Sequence, residues 1–255
     1  QFVYSYLGGT KVLFWRRLST ARHGSISLPN PTFNAECSWC ELPNSSLYFT
    51  GGARSFRKRA IEVWCISVPK DFVVLRKLSM LRERTCHNTV YSRGFLYAIG
   101  GYTKGLVVDE CERYNAKDGK WNIIPRMPKG VFNHSMFLQE STQLLYVFGG
   151  CSGCDEKLIQ ELSVERLEWR VLELQLPSAC SSIPVFEADS GIYFVERKKL
   201  YSLNLTAHEI KLVRELSRDF ESHMGPSYFS NGYLFASYHE GEVKTFGIAD
   251  LNSLE

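Results

Sequence analysis

The sequence predicts an all-β fold in which one short unit is repeated along the chain. Short apolar runs end in pairs of glycines, and the first glycines of the three strong pairs, Gly51, Gly100 and Gly149, are spaced 49 residues apart. β-branched and aromatic residues dominate these runs, which glycine and polar turns separate. Repeats of about 20–50 residues are typical of solenoids, propellers and helical arrays. The strand-like runs disfavour the helical arrays.

Each unit is predicted to contain four strands, and the unit around Gly100 shows them most clearly. Its strands are HNTVYS, FLYAI, DECERYN and KWNII. The second strand is apolar at consecutive positions, which is expected when both faces of a strand are covered. Stacked blades of a β-propeller provide that environment and leave only short, protected edges. We therefore predict a propeller in which each unit is one four-stranded blade.

Six units can be placed along the chain. The first has a weaker pair, Gly8 and Gly9, and the fifth and sixth keep the apolar second strand, as IYFVER and LFASYH, without the glycines. The first unit lacks its innermost strand and the last stops after VKTFGI, so we predict about six blades, incomplete at both ends. Residues 1–255 are predicted to form one domain, with the strongest repeats at about 80–170. Because the chain begins with Gln1, we expect it to be a piece of a longer protein.

Three features of the central units resemble the Kelch repeat. They are the glycine pair after a small apolar strand, the interval between Tyr114 and Trp121, and the Pro-Arg-Met-Pro sequence at 125–128. The resemblance implies a β-propeller that binds other proteins. Many Kelch proteins contain a BTB or F-box module and recognise substrates for ubiquitin ligases, so it also implies a recognition role within a larger adaptor or scaffold. The residues assigned to the repeat motif are Gly51, Gly52, Gly100, Gly101, Tyr114, Trp121, Gly149, Gly150 and Trp169.

Composition and motifs argue against several other function classes. The net charge of +3 is too small to indicate a nucleic-acid partner, and no apolar segment approaches the roughly 18 residues of a membrane span. No Ser-His-Asp spacing, phosphate loop or carboxylate pair suggests an enzyme. His87, His134 and His223 occur at similar positions before the glycine pairs and are predicted to be structural. The alternatives are a propeller enzyme or sugar-binding propeller, and a cytoskeleton-associated structural protein.

Two pairs of cysteines have the CxxC spacing, Cys37 with Cys40 and Cys151 with Cys154. A shared zinc site is not expected, because the pairs are 114 residues apart and residues i and i+3 of a strand point to opposite faces. Cys151 and Cys154 follow Gly150 in a loop where they could approach each other, so a redox-active pair and an inert loop both stay open. The scattered remaining cysteines favour a reducing, cytoplasmic setting. No metal and no cofactor are predicted.

The binding face is predicted to be the end of the propeller where two kinds of loop emerge together, those between second and third strands and those between blades. One sector of this face is rich in cations, and Asp155 and Glu156 limit it. We predict a docking site for an acidic peptide or acidic protein surface, with Phe56 and Tyr102 as apolar anchors. A set of merely solvated loops is the alternative. The predicted partner-binding residues are Arg54, Phe56, Arg57, Lys58, Arg59, Arg82, Arg84, Tyr102, Lys104, Arg126 and Lys129.

Overall fold

A computed structural model describes most of the chain, and its regular elements are all β-strands. The described residues are 2–7, 12–17, 23–27, 36–55, 58–67, 73–188, 191–217, 219–221, 227–230, 233–240 and 243–250. The first strands are β1 (Phe2–Leu7), β2 (Val12–Arg17), β3 (His23–Ser27), β4 (Ser38–Glu41), β5 (Ser46–Thr50), β6 (Ala53–Ser55), β7 (Lys58–Arg59), β8 (Val63–Ser67), β9 (Val73–Lys77), β10 (Asn88–Ser92), β11 (Phe95–Ile99), β12 (Tyr102–Thr103), β13 (Leu106–Val107), β14 (Cys111–Asn115) and β15 (Lys120–Ile124).

The second half of the chain continues the same pattern. Its strands are β16 (Ser135–Gln139), β17 (Leu144–Phe148), β18 (Glu156–Ser163), β19 (Glu168–Cys180), β20 (Val185–Ala188), β21 (Gly191–Glu196), β22 (Lys199–Asn204), β23 (Glu209–Glu215), β24 (Phe220–Glu221), β25 (Tyr228–Ser230), β26 (Tyr233–Glu240) and β27 (Val243–Asp250). Within the described residues the fold is therefore all-β, as the sequence predicts.

Four antiparallel sheets of four strands form the centre of the fold. Their orders are β4-β5-β8-β9, β10-β11-β14-β15, β16-β17-β18-β19 and β20-β21-β22-β23. Short hairpins, β6 with β7 and β12 with β13, extend the loops between second and third strands. The first sheet has three strands, β1-β2-β3, and in the last sheet β26 pairs with β27 along one edge and with β24 and β25 along the other. The predicted four-stranded unit is confirmed in the four central sheets.

The sheets are arranged as blades, with their first strands innermost. Contacts join β4 to β10, β10 to β16, β16 to β20 and β20 to β25. Side chains of second strands pack in both directions, since successive residues of a strand point to opposite faces. Leu96 shares a buried cluster with Tyr48 and Val63 of the preceding blade, whereas Ile99 shares another with Val147 of the following blade. The consecutive apolar residues therefore cover two inter-blade interfaces, and the predicted propeller is confirmed.

Backbone hydrogen bonds link the blades at their inner ends. Glu36, Cys86, Asn133 and Ser182 lie just before the innermost strand of successive blades, and each has a positive φ, between 52° and 56°. The amide of each of the last three donates to the carbonyl of its equivalent in the preceding blade, over 3.2, 2.9 and 2.7 Å respectively. Positive φ in a residue other than glycine costs about 1–3 kcal/mol. The inter-blade bonds offset this cost.

The glycine pairs connect each blade to the segment that leaves it for the next. The amides of Gly52, Gly101 and Gly150 each donate over 2.9 Å to a carbonyl in that segment, on Arg84, Val131 and Cys180 respectively. All three glycines have positive φ, from 93° to 108°. The repeated geometry explains why the same residue type recurs every 49 positions.

The tryptophans of the motif also bond to an inter-blade segment. Trp121 donates its indole N–H to the carbonyl of Leu78, and Trp169 donates in the same way to Pro125, both over 2.9 Å. The Trp121 ring lies 5.4 Å from the Tyr114 ring across the strand pair. Both tryptophans therefore anchor the outermost strand of a blade to the segment that precedes the blade.

Replacing Gly101 by alanine is expected to lower the free energy of unfolding by roughly 1–3 kcal/mol. An added Cβ would lie 2.8 Å from the Thr85 carbonyl oxygen and 2.9 Å from the His87 Cβ, in a backbone with φ of 108°. The control is Gly105→Ala, which also has positive φ but has no atom within 4 Å of the added Cβ. Urea unfolding should show the smaller loss for Gly105→Ala. Equal losses would show that the close approach of Thr85 and His87 is not the reason for a glycine at position 101.

Candidate docking surface

Two inter-blade connections pair with hairpin loops of the blades that they enter. Thr85 and Tyr102 exchange two backbone hydrogen bonds, of 3.0 and 2.8 Å. Phe132 and Cys151 do the same in the next blade, over 3.1 and 2.8 Å. These bonds bring both kinds of loop to one end of the propeller. We call this end the docking face; its described residues lie in 51–55, 58–62, 78–87, 100–110, 125–134, 149–156 and 181–184.

An aromatic pair lies at the docking face. The rings of Tyr102 and Phe132 are 5.2 Å apart and tilted by 53°, an arrangement that aromatic side chains favour. Both residues are half-buried, so part of each ring is open to solvent. Tyr102 was predicted as an anchor from the sequence. Phe132 was not, because it stands in a connection without strand periodicity, and only its pairing with Cys151 places it beside the loops.

The predicted cations at this face are paired with carboxylates of neighbouring loops. Arg82 bonds to Glu110 over 2.9 Å, and Lys104 bonds to Glu83 over 2.6 Å. The remaining pairs are Arg126 with Asp109 and Glu110, and Lys129 with Glu156. The hydrogen bond from Lys129 holds the pKa of Glu156 below its ordinary value. Among the described residues the sector is therefore a mixture of both charges, rather than a basic surface.

Arg84 is a correction to the predicted docking set. Its side chain is only 1% exposed and its guanidinium points into the fold, where Nη2 bonds to the Glu112 carboxylate over 2.8 Å. Nη1 donates to the carbonyls of Gly100 and Glu110, over 2.7 and 2.9 Å. A guanidinium in this position joins an inter-blade connection to the next blade and is not available to a partner.

Glu112 completes this buried link. Its carboxylate accepts hydrogen bonds from the backbone amides of Leu81 and Arg82, over 2.7 and 3.2 Å, in addition to the Arg84 bond. In the following blade Gln160 occupies the equivalent strand position and bonds to both the amide and the carbonyl of Lys129. Two blades thus fix the same segment with different side chains.

The remaining predicted docking residues are Arg54, Phe56, Arg57, Lys58 and Arg59. Phe56 and Arg57 lie outside the described residues, and for Arg54 and Lys58 only the backbone is described, in β6 and β7. Arg59 is half-buried near Cys86. Burial raises the pKa of the Cys86 thiol to about 12, and the nearby Arg59 charge opposes that shift. The structure thus places Arg59 near the inner ends of the blades.

Other candidate features do not converge on a catalytic or metal centre in the described part of the chain. No cluster of three or more histidine, cysteine or acidic side chains there could hold a metal ion. No helix in those residues has the length and apolarity to cross a bilayer. At the opposite end a cleft of about 670 Å³ lies between two blades, where Glu161 forms a two-point ion pair with Arg170 over 2.6 and 2.8 Å. That cleft contains none of the predicted docking residues.

His87 and His134 lie in the core at the start of innermost strands. The His87 ring bonds to the Thr50 hydroxyl over 2.8 Å. Burial lowers the pKa of His134 to about 3 and that of His87 well below its ordinary value. Both imidazoles are therefore neutral at physiological pH. His223 lies outside the described residues.

Acidification is expected to destabilise the fold through His134. The unfolded chain binds this proton below its ordinary pKa of about 6.5, whereas the folded chain does not bind it until about pH 3. Stability is therefore full above about pH 6.5 and is lost as the pH falls towards 3. Between pH 7 and 5 the loss from His134 alone should be about 2 kcal/mol. Urea unfolding at pH 7 and pH 5 measures this loss of free energy. The loss should be smaller in His134→Gln than in the control His208→Gln, which changes an exposed histidine. Equal losses in the two variants would contradict this role of His134.

Removing one member of the buried ion pair is expected to be more harmful than exchanging both. Arg84→Val leaves the Glu112 carboxylate buried without its guanidinium, at a cost of about 3–5 kcal/mol in the free energy of unfolding. Arg84→Val with Glu112→Gln reproduces the residues of the next blade, Val131 and Gln160, and should recover at least half of that loss. Urea unfolding of both variants measures the difference. A double variant as unstable as the single one would show that the buried charge is not what destabilises Arg84→Val.

Comparisons with known proteins agree with this geometry. The Kelch motif matches residues 83–128. Kelch-like protein 23 of Homo sapiens is 30% identical over 168 residues, which cover 64% of this chain and 29% of that protein. Kelch-like protein 33 of Homo sapiens is 35% identical over 121 residues, 46% of this chain and 22% of that protein. A RING finger domain and kelch repeat-containing protein of Dictyostelium discoideum is 24% identical over 143 residues, 55% of this chain and 14% of that protein.

The chain therefore spans less than a third of the length of these relatives. The matched motif contains one whole hairpin loop of the docking face. Its glycine geometry recurs in both neighbouring blades, and its tryptophan bond recurs in the following blade. The chain is therefore a β-propeller that contains a Kelch motif and is similar to Kelch-like proteins.

Proposed function

We propose that this propeller binds another protein through its docking face, as the recognition part of a larger adaptor or scaffold. The observation that supports this most directly is the half-exposed pair of Tyr102 and Phe132 beside loops with several ion pairs. Aromatic residues contribute most strongly to binding when charged and polar groups around them exclude water. We also propose that residues 1–255 form one propeller domain.

The paired charges at the docking face support a partner with acidic residues. We call them the rim; its cations are Arg82, Lys104, Arg126 and Lys129. Lys104 and Arg126 are the most exposed of its paired cations, at 75% and 62% of their side-chain surface. Exposed ion pairs contribute only about 0–1 kcal/mol each. A carboxylate of an incoming peptide can therefore replace Glu83 or Asp109 as the partner of these cations at little cost. The predicted acidic ligand is thus compatible with the mixed charge of the face, although it must compete with the protein's own carboxylates.

The relatives support a recognition role that is not catalytic. The Dictyostelium discoideum relative, as its name states, contains a RING finger domain together with kelch repeats. We propose that this chain likewise works as one part of a longer protein, and a ubiquitin-ligase adaptor is the form that the resemblance favours. We also propose a reducing, cytoplasmic setting, which the eight free cysteines support.

Reversing two charges at the rim is expected to weaken partner binding without unfolding the propeller. A partner is first identified by affinity capture and mass spectrometry with the unmodified chain. Lys104→Glu combined with Arg126→Glu should then raise the dissociation constant by roughly 5- to 30-fold. The two lost ion pairs and the repulsion from the reversed charges together amount to about 1–2 kcal/mol. The effect should shrink at high salt, because dissolved ions screen the interaction between exposed charges.

The matched control reverses two exposed cations at the opposite end, Arg166→Glu with Lys211→Glu, which should leave both binding and the melting temperature unchanged. Tyr102→Ala tests the aromatic anchor and should mainly increase the dissociation rate. If the rim variant and the end control bind equally well at low salt, the acidic-ligand proposal is wrong. If Tyr102→Ala also binds normally, the docking face itself is wrong.

A further inference from the structure

The loop between the second and third strands of the fourth blade has a tight chain reversal at the docking face. Cys151 forms an antiparallel bridge with Asp155, and the amide of Ser152 donates to the carbonyl of Cys154 over 3.0 Å. Gly153 lies between them with φ of 118°. Three residues therefore separate the bridged positions, and two of the five residues in this reversal are cysteines.

We propose that Cys151 and Cys154 are a reversible disulfide site on the docking face. Residues i and i+3 of a chain reversal have Cα atoms within about 7 Å of each other. A disulfide needs Cα atoms roughly 4.4–6.8 Å apart. The bridge between Cys151 and Asp155 holds the two arms of the loop together, so the two thiols can meet with small movements of the reversal. Gly153 has no atom within 4 Å of its Cβ position, so its surroundings leave room for such movement.

Exposure distinguishes this pair from five of the other six cysteines, and the sixth, half-buried Cys86, has its thiol pKa raised to about 12 by burial. Cys154 is exposed and Cys151 is half-buried, whereas Cys37, Cys40, Cys65, Cys111 and Cys180 are buried. Burial raises the pKa of Cys37 and Cys180 to about 12 and that of Cys111 to about 11, so these thiols do not ionise at neutral pH. Only the thiolate attacks a disulfide. The second CxxC pair, Cys37 with Cys40, is therefore protected from the same reaction.

The reaction with a small disulfide such as oxidised glutathione is balanced in two steps. The Cys154 thiolate attacks one sulfur of oxidised glutathione, which forms a mixed disulfide and releases one glutathione thiolate. The Cys151 thiolate then attacks the Cys154 sulfur, forms the intramolecular disulfide and releases the second glutathione thiolate. The two cysteines lose two electrons, glutathione gains them, and the two thiol protons end on the released glutathione. Excess reduced glutathione reverses both steps.

The position of the pair gives the disulfide a consequence for docking. Cys151 bonds to Phe132 through two backbone hydrogen bonds, and Phe132 packs against Tyr102. On the other arm, Glu156 accepts hydrogen bonds from Ser152 and Lys129. Oxidation would close the loop between these two anchors and hold it in one conformation beside the aromatic pair. This consequence depends on the proposed function, whereas formation of the disulfide does not.

The test equilibrates the full chain in a series of glutathione redox buffers, traps free thiols with N-ethylmaleimide and maps the cysteines by mass spectrometry. The oxidised fraction of Cys151 and Cys154 should rise from about one tenth to about nine tenths over a roughly eighty-fold change in [GSH]²/[GSSG], as a two-thiol equilibrium requires. Amide hydrogen exchange in residues 151–156 should be slower in the oxidised chain than in the reduced one.

Three variants distinguish the proposed chemistry from random oxidation. Cys151→Ser should accumulate glutathione on Cys154, because the resolving thiol is gone, and Cys154→Ser should form no disulfide at Cys151. Cys86→Ser removes a half-buried cysteine elsewhere on the same face and should titrate like the unmodified chain. Glutathione that stays on Cys154 of the unmodified chain, or a bond from Cys151 to Cys180, would overturn the proposal. None of these readouts needs a docking partner, so they can fail or succeed independently of the proposed function.

Discussion

The backbone hydrogen bonds made by the inter-blade segments are the constraint on which this fold depends. Apolar contact holds stacked sheets together but has no direction, so it does not fix how one sheet is placed against the next. The chain of bonds from Ser182 to Asn133, Cys86 and Glu36 provides that direction, because each links equivalent positions of neighbouring blades. Buried amides and carbonyls require partners. In this chain of bonds the amides donate to the preceding blade, so the carbonyls accept from the following one. If one blade slid relative to its neighbour, these amides and carbonyls would lose their hydrogen-bond partners.

Other backbone bonds of the inter-blade segments hold the docking face in place. Tyr102 stands on a hairpin loop that is bonded to an inter-blade connection through Thr85, and Phe132 stands on a connection that is bonded to a hairpin loop through Cys151. A side chain on such a loop is held in place before a partner arrives, which lowers the entropy cost of binding. The structural role and the proposed recognition role therefore fall on adjacent residues of the same segments. Arg84 and Arg82 illustrate this: one guanidinium is buried against Glu112, and the other lies at the surface beside Glu110.

Sequence alone predicted the strands well and the side-chain directions in the connections poorly. The spacing of Gly51, Gly100 and Gly149 locates the second strand in three of the four central blades, because the close approach that needs glycine recurs in each of the three. Connections have no periodicity, so nothing in the local sequence distinguishes the inward Arg84 from the outward Arg82. Equivalent positions in two blades do distinguish them. The carbonyl that accepts the glycine amide belongs to Arg84 in one blade and to the buried, apolar Val131 in the next. An arginine at an apolar position indicates a buried ion pair, and Glu112 is its partner.

The charge balance of the rim follows from the way in which the inter-blade connections flank each blade. It affects attraction at a distance and discrimination at contact differently. Glu110 lies between Arg82 and Arg126, which belong to the connections on either side of one blade, and it bonds to both. Charges so arranged have little long-range field, because paired opposite charges largely cancel each other at a distance and salt screens the remainder beyond about 8 Å. They can still exchange partners at contact, so they distinguish one docked surface from another more than they attract ligands from a distance. In the proposed complex, burial of the aromatic pair would then determine how long a bound protein stays.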